Sequence, residues 1–171
     1  VLQEAELGFS FIAPAHPALA QQVLAEGRMV CVAPKGMLPA ALVQSGTVRL
    51  SDLAQTPVAR LGSNDPLGAM VNLACREADV GLQTAFTVQT YHAALALAHH
   101  GLGVALLDVC TAASADPARV DVLELAPRIP VPVTLLRLAN RPASLLADAM
   151  ARCMQEAVRQ TLDDYGLAEP V

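Results

Sequence analysis

The stretch from Thr90 to Leu107 constrains this chain more than any other, because it reads as a capped helix, a glycine turn and a buried strand in immediate succession. Thr90 offers a side-chain oxygen to the free amides of a first helical turn. Tyr91, Leu95, Ala98 and Leu102 recur at the spacing of one helical face. Gly101 suits the left-handed residue that ends a helix, and residues 104–107 form an unbroken apolar run suited to a strand covered on both faces. A dinucleotide-binding fingerprint places its glycines after a strand and at the opening of a helix. Here Gly101 and Gly103 close a helix and open a strand, so their order argues against a phosphate cradle. The first turn after Thr90 presents unpaired amides and the positive end of the helix dipole, a place for a carboxylate. The same residues also fit an ordinary helix and strand of an α/β core.

The 171 residues suffice for one domain of ordinary size or two small ones. At 54% hydrophobic and 16% charged, the chain carries too much apolar surface for disorder. With Phe9, Phe11, Phe86, Tyr91 and Tyr165 as its aromatic residues and no tryptophan, the core must be aliphatic. Eleven basic against sixteen acidic residues give a formal charge of −5, the wrong sign for gathering phosphates by counterion release, and no Lys/Arg cluster breaks the pattern. Direct nucleic-acid binding by these residues is disfavoured. No apolar stretch approaches the roughly 20 residues needed to span a bilayer, and the first residues lack the features of a signal peptide. Cys31, Cys75, Cys110 and Cys153 are widely spaced without metal-ligand or redox-pair spacing, which reads as reduced thiols in a cytoplasmic protein.

Short apolar runs at residues 7–13, 29–33, 57–61, 85–88, 120–125 and 131–138 predict strands. Between them, Ser51 can cap a short helical turn in residues 48–53, and Ser63, Asn64 or Asp65 can cap a helix with Met70, Val71 and Ala74 on its apolar face. A long helix from Pro142 or Ser144 to about residue 164 places Leu146, Met150, Cys153, Ala157 and Leu162 near one face. Strands alternating with helices favour an α/β fold with a mostly parallel sheet.

Few residues carry chemistry. His92, His99 and His100 cannot converge on one ion, because adjacent helical positions diverge by about 100°, and no metal is expected. A serine nucleophile would need a glycine-flanked elbow, which neither Ser10 nor Ser63 has. The turn Gly62, Ser63, Asn64, Asp65 follows a strand, where small polar side chains can meet a ligand at the edge of an open α/β sheet; the alternative is a plain turn and cap. Asp108 follows the 104–107 strand and could take an ammonium group, or simply face water in a turn.

Several motifs, in order, resemble one family. Residues 6–9 are similar to its "Leu-Asp-Leu-Gly" strand, and residues 29–40 to a strand followed by "Pro-x-x-His-Pro-Leu", with Met37 in the histidine's place. Residues 50–54 and 57–61 resemble its "Leu-x-Asp-Leu" helix and following strand. Residues 90–107 resemble "Ser-x-x-x-Leu-x-x-Val-x-x-Gly-Leu-Gly-Ile-Ala-Leu-Leu". The family is the effector-binding domain of LysR-type transcriptional regulators. Residues 106–112 resemble the "Val-Asp-Pro-x-Thr-Ala" of a branch that responds to amino acids and opines, with Cys110 departing from it.

The resemblance implies two Rossmann-like subdomains of the periplasmic-binding-protein type II kind with an effector in the cleft between them. Subdomain I would comprise residues 1–33 and 136–171, incomplete at its start, and subdomain II residues 34–135. The winged helix-turn-helix that binds DNA would lie outside this chain. The implied function is to sense a small anionic or zwitterionic metabolite, with polar contacts from Ser63, Asn64, Asp65, Gln89, Thr90, Ser10 and Asp108. A carboxylate would meet the Thr90 turn, and an ammonium Asp65 or Asp108. Homodimers or tetramers are implied, without cofactor, membrane or catalytic residue. A solute-binding protein of a transport system shares the architecture and is the main rival; an enzyme would need a convergent acid, base or nucleophile.

Overall fold

The computed structural model describes residues 5–13, 15–140 and 142–164. The chain divides into two compact units, residues 1–27 with 131–171, and residues 28–130. The crossovers fall earlier than residues 33/34 and 135/136, because Met29–Ala33 pair with strands of the second unit.

In the first unit, strand β1 (Leu7–Ser10) runs antiparallel to β8 (Pro130–Leu138), with Leu7 opposite Arg137 and Ser10 opposite Thr134. The early part of β2 (Leu19–Pro34) lies on the other side of β8. Helix α5 (Leu145–Asp164) opens where the Ser144 hydroxyl oxygen accepts the Ala147 amide at 3.1 Å and its hydroxyl donates to Glu6 Oε2 at 2.5 Å. Its buried residues are Ala147, Ala151, Val158 and Leu162, and Ala151 joins Leu24 and Leu135 in a small core with Leu7, Phe9 and Met154 against it. The face expected from sequence is therefore rotated: Leu146 and Met150 are 76% and 53% exposed, and Cys153 is exposed. In the first turns small Ala147 and Ala151, not Leu146 and Met150, lie on the inner side of the helix, while Leu162 is buried as expected.

The second unit holds a sheet in the order β3-β7-β2-β6-β4-β5. Its other strands are β3 (Thr47–Arg49), β4 (Val58–Leu61), β5 (Thr84–Val88), β6 (Val104–Asp108) and β7 (Val120–Ala126). The late part of β2 is antiparallel to both β6 and β7, whereas β3 with β7, β4 with β6 and β4 with β5 pair in parallel. The sheet is thus mixed rather than mostly parallel. Cys31, Val32, Val58, Ala59, Ala105 and Leu107 are wholly buried, as expected of strands covered on both faces. Burial pushes the Cys31 thiol up to about 12.

Helix α1 (Ala40–Ser45), between Pro39 and the left-handed Gly46, is too short to show a period in sequence. The 3₁₀ turn Leu50–Leu53 is held by Asp52, whose Oδ2 accepts the Arg49 amide at 2.9 Å, where Ser51 was the expected cap. Helices α2 (Pro66–Glu77), α3 (Tyr91–His99) and the single turn α4 (Val109–Ala112) complete the unit. Val71 and Ala74 are buried on α2, as are Leu67, Gly68 and Cys75, while Met70 is half-buried.

Residues 90–107 fold in the order expected. The Thr90 side-chain oxygen accepts the Ala93 amide at 3.2 Å. Gly101 takes φ 73°, the Leu102 amide reaches back to the Leu97 carbonyl at 3.1 Å, and the Gly101 amide donates to Ala98 at 3.0 Å, a Schellman closure. At Gly103 a Cβ would meet the Pro57 carbonyl oxygen at 2.6 Å, so this glycine permits the close approach that brings the Val104 amide to Pro57 at 2.9 Å. The buried face of α3 is Ala94, Leu95 and Ala98; Leu102, expected on it, is 48% exposed because the left-handed turn swings it out.

Candidate functional site

Strands β6, β4 and β5 are neighbours running the same way, so the loops leaving their C-terminal ends open on one edge of the second unit. Each leads directly into a helix: α4 after β6, α2 after β4 and α3 after β5. The carboxyl edge of an open α/β sheet is where such folds place ligands, because loop side chains and helix amides converge there. Most of the side chains singled out from sequence lie on this edge, and what they do there differs.

After Leu61 the chain turns through Gly62 to Asp65, whose amide donates to the Gly62 carbonyl at 3.1 Å. Ser63 and Asn64 are exposed in this turn. Asp65 is the N-cap of α2, its Oδ1 accepting the Leu67 and Gly68 amides at 2.9 and 3.1 Å. The same Oδ1 accepts the Tyr91 hydroxyl at 2.6 Å, the short distance of a charge-assisted bond. Among the described residues, the hydrogen bonds to Asp65 fall on Oδ1, leaving Oδ2 as the oxygen that can meet a ligand. Gly68, which sequence reasoning missed, makes the turn possible. A Cβ there would stand 2.2 Å from the Gly62 carbonyl oxygen and 2.9 Å from that of Leu61.

Gln89 and Thr90 follow β5 and are exposed. Thr90 closes the first turn of α3 with a neutral hydroxyl, so the positive end of that helix keeps its charge unmatched by any cap. Tyr91, also missed from sequence as more than a core residue, is half-buried and joins the start of α3 to the start of α2. Burial first, then the hydrogen bond and charge of Asp65 and the charge of Asp108, push its phenol well above its ordinary range. The protonated hydroxyl donates its hydrogen bond to Asp65.

Asp108 corrects the sequence expectation most sharply. It neither faces water nor offers an oxygen to a ligand: it is wholly buried, with Oδ1 accepting the Thr111 amide at 2.8 Å and Oδ2 the Thr111 hydroxyl at 2.6 Å. Burial and, second, the charge of Asp108 push the neighbouring Cys110 thiol up to about 11. Ser10 belongs to the first unit, where its hydroxyl donates to the Ile12 carbonyl at 2.7 Å.

His99 Nε2 accepts the Asp116 amide at 3.1 Å, fixing the loop before β7, and among the described residues no group of three or more His, Cys, Asp or Glu could hold a metal ion. A separate groove of about 230 Å³ is lined by Arg49, Leu50, Ser51, Val80 and Pro127, and by none of the edge residues. No described helix is long and apolar enough to cross a membrane.

Two mixed α/β units, one carrying helix starts and polar turns along the carboxyl edge of its sheet, define a protein with a type II periplasmic-binding-like fold. Comparison with known families narrows this: residues 2–159 match the LysR substrate binding domain, and the chain belongs to that family. It is 26% identical over 144 residues to the HTH-type transcriptional regulator DgcR of a Pseudoalteromonas species, a match covering 84% of this chain and 48% of DgcR. The chain thus spans about half the length of that relative.

Among solved structures, the regulatory domain of Synechocystis CcmR in complex with 2-PG superposes with a TM-score of 0.73 at 13% identity, covering 91% of this chain and 74% of that one. The effector binding domain of QuiR in complex with shikimate gives 0.69 at 15% identity, with coverages of 91% and 72%. Full-length CbnR complexed with its target DNA gives 0.66 at 20% identity, with coverages of 91% and 50%. These likenesses establish the fold.

Proposed function

We propose that this chain is the sensing part of a cytoplasmic LysR-type transcription regulator and that its effector is a small zwitterion, an amino acid or a derivative of one. The observation that carries the reading is the unequal capping of neighbouring helices on one sheet edge. The start of α2 is matched by the charge of Asp65, whereas the start of α3, capped by neutral Thr90, is open to a carboxylate. Asp65 Oδ2 stands ready for a cationic donor, and Asp108, with both oxygens engaged, is set aside for that role. Ser63, Asn64 and Gln89 supply neutral polar contacts at the same edge.

A simple dianion fits this edge poorly, because Asp65 would repel its second charge. QuiR is seen in complex with shikimate and CbnR with its target DNA, DgcR is an HTH-type regulator, and by extension a helix-turn-helix outside this chain would make the DNA contact. Homodimers or tetramers form part of the same reading. Binding would act on DNA through differential affinity for alternative arrangements of the protein.

Isothermal titration with basic amino acids and opines tests it. Thr90→Ala is expected to weaken binding by about 1 kcal/mol or more, the scale of one lost hydrogen bond. Unchanged affinity, or no binding by any zwitterion in the panel, overturns the assignment.

A further inference from the structure

We propose that Tyr91 is a positioning residue that aims Asp65 at the effector's cationic group and thereby sets the preference for a zwitterion over a plain carboxylate. The inference rests on the reading of the edge given above and assigns to one hydroxyl the selectivity within it.

The geometry separates two tasks on one carboxylate. Capping α2 needs only the bonds from the Leu67 and Gly68 amides, both to Oδ1. A carboxylate held by those alone can rotate and offer either oxygen to the helix, since the two are chemically equivalent. The Tyr91 hydroxyl comes from a different element and takes the same Oδ1 at 2.6 Å. With donors from two elements converging on one oxygen, rotation would break the short bond, so Oδ1 stays with the helix start and Oδ2 stays in one place. Fixed acceptors bind a cation better than mobile ones, because no ordering entropy is lost on binding.

The tie also couples the two ends of the ligand. Tyr91 is the residue immediately after Thr90, so the phenol that orients Asp65 is carried by the first turn that would receive the carboxylate. A tyrosine is protonated near neutral pH, so the phenol meets Asp65 as a hydrogen-bond donor and not as a competing anion.

The test titrates the full 171-residue chain with L-lysine and with hexanoate, which has the same carbon chain and carboxylate but no ammonium. In Tyr91→Phe, lysine affinity is expected to fall about fivefold, the equivalent of one hydrogen bond, while hexanoate affinity stays within about twofold. A role in folding alone would weaken both ligands together, and that result overturns the proposal. Asp65→Asn is expected to abolish the lysine preference. If it does so while Tyr91→Phe retains the preference, the positioning role falls and the edge assignment stands. If wild type binds neither ligand, the edge assignment falls with it.

A second measurement needs no variant. The Tyr91 hydroxyl proton, slowed in exchange by its short bond, is expected as a downfield proton resonance that shifts with lysine and not with hexanoate. Equal response to both ligands overturns the proposal.

Discussion

Asp65 and Asp108 begin as the same device and end as opposites. Asp108 ends β6 and Asp65 lies in the turn after β4 of the same sheet, and both cap a helix with an extended backbone and a carboxylate oxygen on a first-turn amide. Asp108 spends its second oxygen on the Thr111 hydroxyl and is sealed from water. Asp65 loads one oxygen with donors from two elements and keeps the other uncommitted, at a half-buried position. Helix capping is thus compatible with either a closed structural role or an open binding role. What decides between them is whether the local sequence supplies a second donor: a threonine three residues on at Asp108, and no such hydroxyl at Asp65, where Gly68 stands three residues on.

The contrast breaks most visibly in stability. Asp108→Ala would strand a buried amide and a buried hydroxyl at Thr111, and is expected to cost about 3 kcal/mol in urea denaturation. Asp65→Ala, at a half-buried cap, is expected to cost about 1 kcal/mol. Equal costs would mean that Asp65 is as structural as Asp108. Gly68→Ala sharpens the same point from below the turn. Its Cβ would stand 2.2 Å from the Gly62 oxygen, and because that neighbour is backbone the turn itself must shift. A loss of about 2 kcal/mol is expected, together with weaker effector binding, since the displaced turn carries Asp65. Retention of both would show that the turn is more compliant than its packing implies.

The legible and illegible parts of this molecule divide along the same physical line. Thr90, Gly101 and the 104–107 strand could be read directly, because capping, left-handed turns and buried apolar runs are set by residues within a few positions of one another. The bond between Tyr91 and Asp65 spans 26 residues and exists because β4 and β5 pair in parallel, which no local pattern encodes. Asp108 was misjudged because a carboxylate after a strand looks the same whether or not a threonine closes over it.

Helix α5 misled in another way. Its periodicity accommodates two faces, and size favours Leu146 and Met150, whereas close approach favours the face of Ala147 and Ala151. The long β2 was hidden because Leu19–Gly27, with Gln21, Gln22 and Glu26, mixes polar and apolar residues without alternation. Its strand character comes from pairing on β8.

The smallest effect separates the two carboxylates by their electrostatic reach. Burial and, second, the charge of Asp108 raise the Cys110 thiol from 9.0 to about 11; Asp65 is not among the causes. The unfolded chain therefore loses this proton near pH 9 while the folded chain keeps it, so the contribution is complete below pH 9 and drains away as pH rises toward 11. By pH 10 part of that contribution is gone. Asp108→Asn removes the charge and leaves the burial, which moves the folded thiol down yet keeps it above 9.0. Asp65→Asn is expected to leave it in place. Iodoacetamide alkylation followed against pH, with exposed Cys153 replaced by serine, reads the midpoint directly. A midpoint that moves in Asp65→Asn as much as in Asp108→Asn would show that the two carboxylates act on this region as one, and would remove the distinction drawn from their hydrogen bonds.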